Sequence, residues 1–146
     1  MRRTLEQQRA AYALRFVTAR AGVGGAGELA THIRKTPIRI LQNGLGQAVA
    51  FLLSNAEGKQ EKPSYRLYGC LDGWLRSTGS QAREDRPCVV YRDEQGDGHR
   101  DLIIHLIEGS RRQYQLAEEE ALSLFTWLKK FADAYLVDGG NTDAGA

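Results

Sequence analysis

Residues 36–54 carry apolar side chains around most of a helical circumference, and a chain with such a segment must surround it with other elements. At 100° per residue, Ile38, Leu41, Leu45, Ala48, Val49 and Leu52 fill one broad face, while Ile40 and Phe51 form a second apolar patch. The remaining polar strip is narrow: Arg39, Asn43 and Gln47 at i, i+4 and i+8, flanked by Gly46 and Ala50. Such small neighbours let another backbone, protein or nucleic acid, come close to the strip. A strip that merely faces water is the other reading. Thr36 as N-cap and Pro37 at the first helical position set the expected start of this helix, because proline's missing N–H does no harm there.

The other periodic segments supply the surround. Thr4 with Gln7 three residues on has the form of a capping box, and Leu5, Tyr12, Ala13, Phe16 and Val17 then recur at helical spacing to about Arg20. The glycine-rich stretch 22–27 ends that helix, and a short helix is expected over 28–35. Residues 55–62 are polar and contain Gly58, so they read as a loop. After Pro63 and Ser64 a helix presents Leu67, Leu71, Trp74 and Leu75 on one stripe, with Gly69 and Gly73 marking points of close packing.

Residues 77–87 form a long polar connection. Cys88 to Tyr91 fit a short strand, with Asp97-Gly98 as a hairpin turn, and 100–108 fit a helix better than a second strand. In the last helix Ala121, Leu124, Phe125, Leu128, Ala132 and Tyr135 share a face, and Glu118, Glu119 and Glu120 are expected in its first turn, complementing the dipole. The sum is an all-α fold: a single-domain bundle of about six helices over 1–137, with a β-hairpin or extended loop left open near 88–99. Residues 138–146, small, polar and terminal, are expected to be a disordered tail.

Size and composition agree with one domain, since 146 residues at 42% apolar bury one core and not two. No apolar run reaches the roughly eighteen residues of a membrane span, and Met1-Arg2-Arg3 leads into polar residues rather than a signal core, so a cytoplasmic protein is expected. Cys70 and Cys88 are too few for a disulfide framework, lack C-x-x-C spacing, and read as ordinary thiols.

Net charge is only +2, but its distribution is uneven. Residues 1–39 hold eight Arg/Lys against Glu6 and Glu28, whereas 93–110 hold five acids against Arg100 alone. A basic side on a helical domain points to a polyanion or to a scattered, solvated face.

Motifs for chemistry fail. Gly22, Gly24 and Gly27 match G-x-G-x-x-G, but a helix precedes them where a dinucleotide site needs a strand. Asp93, Gln95, Asp97 and Gly98 resemble the start of a calcium loop whose final bidentate position is Ile104. His32, His99 and His105 have no zinc-like spacing and no nucleophile–base–acid set around them. No enzyme activity, metal or cofactor is expected.

Four stretches together carry a resemblance: Thr4-Leu-Glu-Gln-x-Arg-Ala; Ile40-x-x-Asn43-Gly44-Leu45 running to Ala50-Phe51-Leu52; Leu71-x-x-Trp74-Leu75; and Tyr114 followed by Glu120-Ala-Leu and Trp127-Leu-Lys-x-Phe131-Ala. In this order, from Thr4 to Tyr135, they resemble the small helical subunit of the Cmr complex, the type III-B CRISPR RNA-guided effector. The glycine-rich loop 22–27 and the stretch 77–99 depart from it.

The resemblance implies an all-helical, non-catalytic subunit in antiviral defence. It implies copies stacked as a minor filament, with the backbone subunits, the large subunit and the guide and target RNA as partners. On charge position alone, the RNA-binding residues are Arg15, Arg20, Arg34, Lys35 and Arg39, then Lys129 and Lys130, with Asn43 and Gln47 as hydrogen-bonding companions. A pure scaffold without RNA contact, and a helix-turn-helix DNA-binding protein built from 28–35 and the helix after Pro37, remain open.

Overall fold

A computed structural model describes residues 3–78, 90–93 and 101–136. Within them the chain forms six helices: α1 (Leu5–Thr18), α2 (Ala26–Asn43), α3 (Leu45–Ala56), α4 (Pro63–Leu75), α5 (Leu102–Glu108) and α6 (Arg111–Tyr135). Strands β1 (Arg76–Thr78) and β2 (Tyr91–Asp93) add a small extended element. The architecture is an all-α bundle. Helix α6 lies against α1 and α2, α3 packs between α2 and α4, and α5 closes on α3 and α4. Trp74, Phe125, Leu45, Leu52, Leu67, Leu71 and Leu124 are fully enclosed where these helices meet.

Local chemistry sets several of the ends. Thr4 accepts from the Gln7 N–H while the Gln7 side chain accepts from the Thr4 N–H, so the expected capping box is present. Helix α6 has the same device at Ser110 and Gln113, and therefore begins two turns before the three glutamates. Glu118, Glu119 and Glu120 are thus not first-turn residues. Helix α4, expected after Pro63 and Ser64, begins at Pro63 itself, where the missing N–H costs nothing, and it buries its stripe of Leu67, Leu71, Trp74 and Leu75.

The boundary expected at Thr36-Pro37 does not exist. Helix α2 runs through both residues, and they are buried within it. Proline removes one backbone bond there, and the Thr36 hydroxyl donates to the His32 carbonyl at 2.6 Å, a back-bond of the kind that bends helices. Burial of Leu29, Ile33 and Ile40 on either side of the proline offsets its cost. The break falls instead at Gly44, whose φ of 92° and ψ of 161° suit glycine alone.

That displacement resets the helical phase. Ile40 points into the core, whereas Ile38 and Leu41, expected inside, are 53% and 74% exposed. The first half of the segment is one-sided rather than surrounded. A continuous α2 also removes the turn required by the helix-turn-helix reading, which is overturned.

The extended segment near 88–99 is present as β2, but it pairs in parallel with β1, Arg76 opposite Tyr91 and Thr78 opposite Asp93. Among the described residues β2 has no hairpin partner. The hairpin turn at Asp97-Gly98, Cys88, His99, most of the calcium-like stretch, most of the 77–87 connection and the expected tail all lie outside the described residues. Cys70 is buried, and burial pushes its thiol up to about 12. Gly73 does mark a close approach, since a Cβ there would meet the Tyr12 hydroxyl at 2.7 Å, but Gly69 has open space.

These two kinds of glycine predict opposite responses to alanine. Gly44→Ala forces an L-residue into positive φ, with the Tyr114 hydroxyl 2.9 Å from the new Cβ, and should cost about 2 kcal/mol in urea unfolding. Gly69→Ala, mid-helix and unobstructed, should gain roughly 0.5–1 kcal/mol in the same assay.

Candidate nucleic-acid interface

The basic residues singled out by charge fall in two places. On α2, Arg34 and Lys35 are exposed, and Arg34 reaches α6 by donating from Nε and Nη2 to Asp133 Oδ1 at 3.2 and 3.1 Å. Lys129 and Lys130 lie one turn before Asp133 on α6, both exposed, with the Lys130 ammonium 5.9 Å from the Trp127 ring centroid. Arg34 thus bridges α2 to α6 at Asp133, with Lys129 and Lys130 within about one turn of that carboxylate along α6. Lys35 and Arg39 follow on the adjoining face of α2, where the Arg39 guanidinium lies 3.7 Å from the centre of the Phe51 ring and its Nη1 is enclosed without a hydrogen-bond partner.

Asn43 and Gln47 are both exposed, but Gly44 separates them onto different helices, so the expected i, i+4, i+8 strip is not one helical line. Nor does Gly46 open the strip to a visitor. The Tyr114 hydroxyl fills that approach, accepting from the Gly46 N–H at 2.8 Å, while Glu118 Oε2 accepts from the Leu45 N–H at 2.9 Å. Together they satisfy the first donors of α3, which has no side-chain cap of its own.

Not every N-terminal cation is available. Arg9 makes a bidentate pair with Glu120, both bonds 2.7 Å, and a third bond of 2.7 Å to Glu6. Glu120 Oε2 also accepts from the Trp74 indole N–H at 2.8 Å. The bonds to Glu120, foremost, hold the Arg9 guanidinium firmly charged. These partners include the arginine, the tryptophan and the glutamate of the four stretches that carry the family resemblance.

The CRISPR-associated protein (Cas_Cmr5) family model matches residues 5–135. The chain belongs to the Cmr5 family. A crystal structure of a CRISPR-associated Cmr5 family protein from Thermus thermophilus is similar to it, with 28% sequence identity and a TM-score of 0.64. That match covers 93% of this chain and all of the other. Membership makes the chain a small subunit of the Cmr-type CRISPR complex.

The second basic locus of this Cmr5-family chain lies at the far end of α1. Arg15 is exposed on that helix, and Arg20 just beyond it stacks on Phe16 at 4.7 Å. Arg66 of α4 stands close enough that its charge, after desolvation, lowers the proton affinity of Arg20. Arg66 was not among the residues expected from sequence. It stands 46 positions from Arg20, and only the packing of α4 beside α1 joins them; no local pattern carries that signal. Among the described residues no helix is long and apolar enough to cross a membrane.

One histidine gives a pH-dependent consequence. His32 is buried, and desolvation, outweighing Glu28, lowers its pKa below the ordinary value. The unfolded chain takes up the proton near pH 6.5 while the folded one resists it, so stability should fall as pH drops from about 6.5 toward the lowered folded value. Urea midpoints at pH 7.5 and 5.5 read this, and His32→Gln should flatten the difference. Glu120→Ala should cost about 3 kcal/mol in the same experiment, because it leaves a largely buried guanidinium with only the exposed Glu6 and strips the Trp74 N–H of its acceptor.

Proposed function

We propose that this Cmr5-family chain is a non-catalytic, cytoplasmic subunit that holds the phosphate backbone of guide-paired target RNA along its α2–α6 seam in antiviral defence. The observation that carries the reading is the seam itself: Arg34 of α2 meets α6 at Asp133, with Lys129 and Lys130 a turn away and Lys35 and Arg39 beside it. An exposed ion pair such as Arg34–Asp133 is worth at most about 1 kcal/mol, so a phosphate displaces the carboxylate at little cost. Guide–target pairing supplies sequence choice, and these side chains neutralise charge without reading bases.

A second reading has its own support. Ile38 and Leu41 stand exposed on the same face of α2 as Arg34 and Lys35. An apolar pair in that position fits a contact with a backbone subunit, the large subunit or another copy in a minor filament. The two readings are compatible, one using the charges and the other the apolar side chains between them.

Replacing Arg34, Lys35 and Arg39 together by Glu should lower retention of labelled target RNA by the assembled complex at least about tenfold. It should also reduce the salt dependence, since each lost phosphate contact removes about 0.9 from the log–log slope on a B-form duplex and about 0.7 on a single strand. Unchanged retention and slope, with assembly lost instead on Leu41→Asp, would leave the chain a scaffold that touches no RNA.

A further inference from the structure

Between α1 and α4 lies a concavity of about 600 Å³ that the seam does not use. Its rim brings together Arg20 and Arg66, and its walls include the rings of Tyr12, Phe16 and Tyr65. Gly69 lines it with bare backbone, and a Cβ built there meets nothing within 4 Å.

Arg9, Arg34 and Arg76 each find a carboxylate within 4 Å. Like Arg15, Arg39, Arg111 and Arg112, Arg20 and Arg66 have no carboxylate within 4 Å; what sets these two apart is that they line one concavity. The Arg20 Nε is enclosed and has no acceptor. Its guanidinium is nonetheless held in place by the Phe16 ring beneath it. Tyr12 is fixed as well, donating to the Cys70 carbonyl at 2.7 Å and packing on Trp74.

Glu61 also lines the concavity but lies more than 4 Å from both guanidiniums, so two like charges, one of them partly desolvated, are left without a direct ion pair and favour an anion that satisfies both. A carboxylate would answer the charge but leave the rings and most of the space unused. A nucleotide answers both, because every base has a π-face and stacks on aromatic rings or on a guanidinium plane.

We propose that this concavity binds one unpaired nucleotide, its phosphate ester between Arg20 and Arg66 and its base against the aromatic wall that Tyr65 shares with the Phe16-backed Arg20 guanidinium. The proposal rests on the RNA-binding reading for its partner class and adds a site on another side of the bundle. It assigns Arg66 a role that charge position along the chain did not give it.

The test is a fluorescence-anisotropy titration of the full chain with a labelled six-nucleotide single-stranded RNA and with the same strand made abasic. The base-bearing strand should bind about tenfold more tightly, the value of one or two stacked contacts. Arg20→Gln and Arg66→Gln should each weaken both strands, whereas Tyr65→Leu should erase the difference between them. Gly69→Leu fills the space from an unobstructed helical position, so it should weaken the base-bearing strand about tenfold while the melting temperature holds or rises.

Competition by adenosine monophosphate would make a free nucleotide a sufficient occupant, and competition by the strand alone would make the occupant RNA; either upholds the site. Equal affinity for the two strands, no binding of either, or displacement by an acidic peptide as effective as by the nucleotide overturns it. Lys129→Glu with Lys130→Glu should leave the base-dependent difference intact, which separates failure of this site from failure of the seam.

Discussion

The carboxylate of Glu120 accepts three hydrogen bonds, two from Arg9 of α1 and one from Trp74 of α4, and in doing so fixes α6 to two other helices at one point. With side chains only 14% and 18% exposed, Arg9 and Glu120 sit where neither could stand alone, so the pair specifies geometry as well as stability. Two residues earlier on α6, Glu118 reaches the start of α3, and one turn before that Tyr114 does the same. A single long helix thus holds α1, α3 and α4 through polar side chains.

The same device recurs elsewhere in the bundle. Tyr68 and Asp72, one turn apart on α4, accept from the Ile103 and Leu102 N–H groups at the start of α5, as Tyr114 and Glu118 do for α3. Each short helix lacks a side-chain cap of its own and receives a tyrosine and an acid, spaced i and i+4, from a neighbour. Burial raises the Tyr68 pKa, which keeps the hydroxyl neutral over the whole working range. The first turns of α3 and α5 are therefore capped by side chains of α6 and α4.

What the sequence made legible follows from this division. Local devices were readable: the Thr4–Gln7 box and the stripe of Leu67, Leu71 and Trp74 each depend on residues a few positions apart. The break at Gly44 was not, because Thr36-Pro37 offers a stronger local signal, and the reason it fails is burial of Ile33 and Ile40 on either side. Placing Glu118 and Glu120 in a first turn failed for a related reason: Ser110 and Gln113 cap the helix earlier, and the acids serve other helices. The candidate interface was legible only in part. Arg34, Lys129 and Lys130 were named by charge alone, whereas the Arg34–Asp133 pair and the closeness of Arg66 to Arg20 are products of tertiary packing.

Counting charge along a chain treats every arginine alike, and the bundle does not. Arg9 belongs to three hydrogen bonds inside the fold and contributes almost nothing to an outside anion. Arg34 holds an exposed carboxylate that a stronger anion replaces, and Arg39 rests on Phe51 with one nitrogen enclosed. Arg20 goes furthest, stacked, partly desolvated and set against a second guanidinium. The free energy left unsatisfied at each cation, not its number in the sequence, decides where a polyanion settles. On that ordering the α1–α4 concavity, with two guanidiniums that no carboxylate meets within 4 Å, competes with a seam whose arginine already has one.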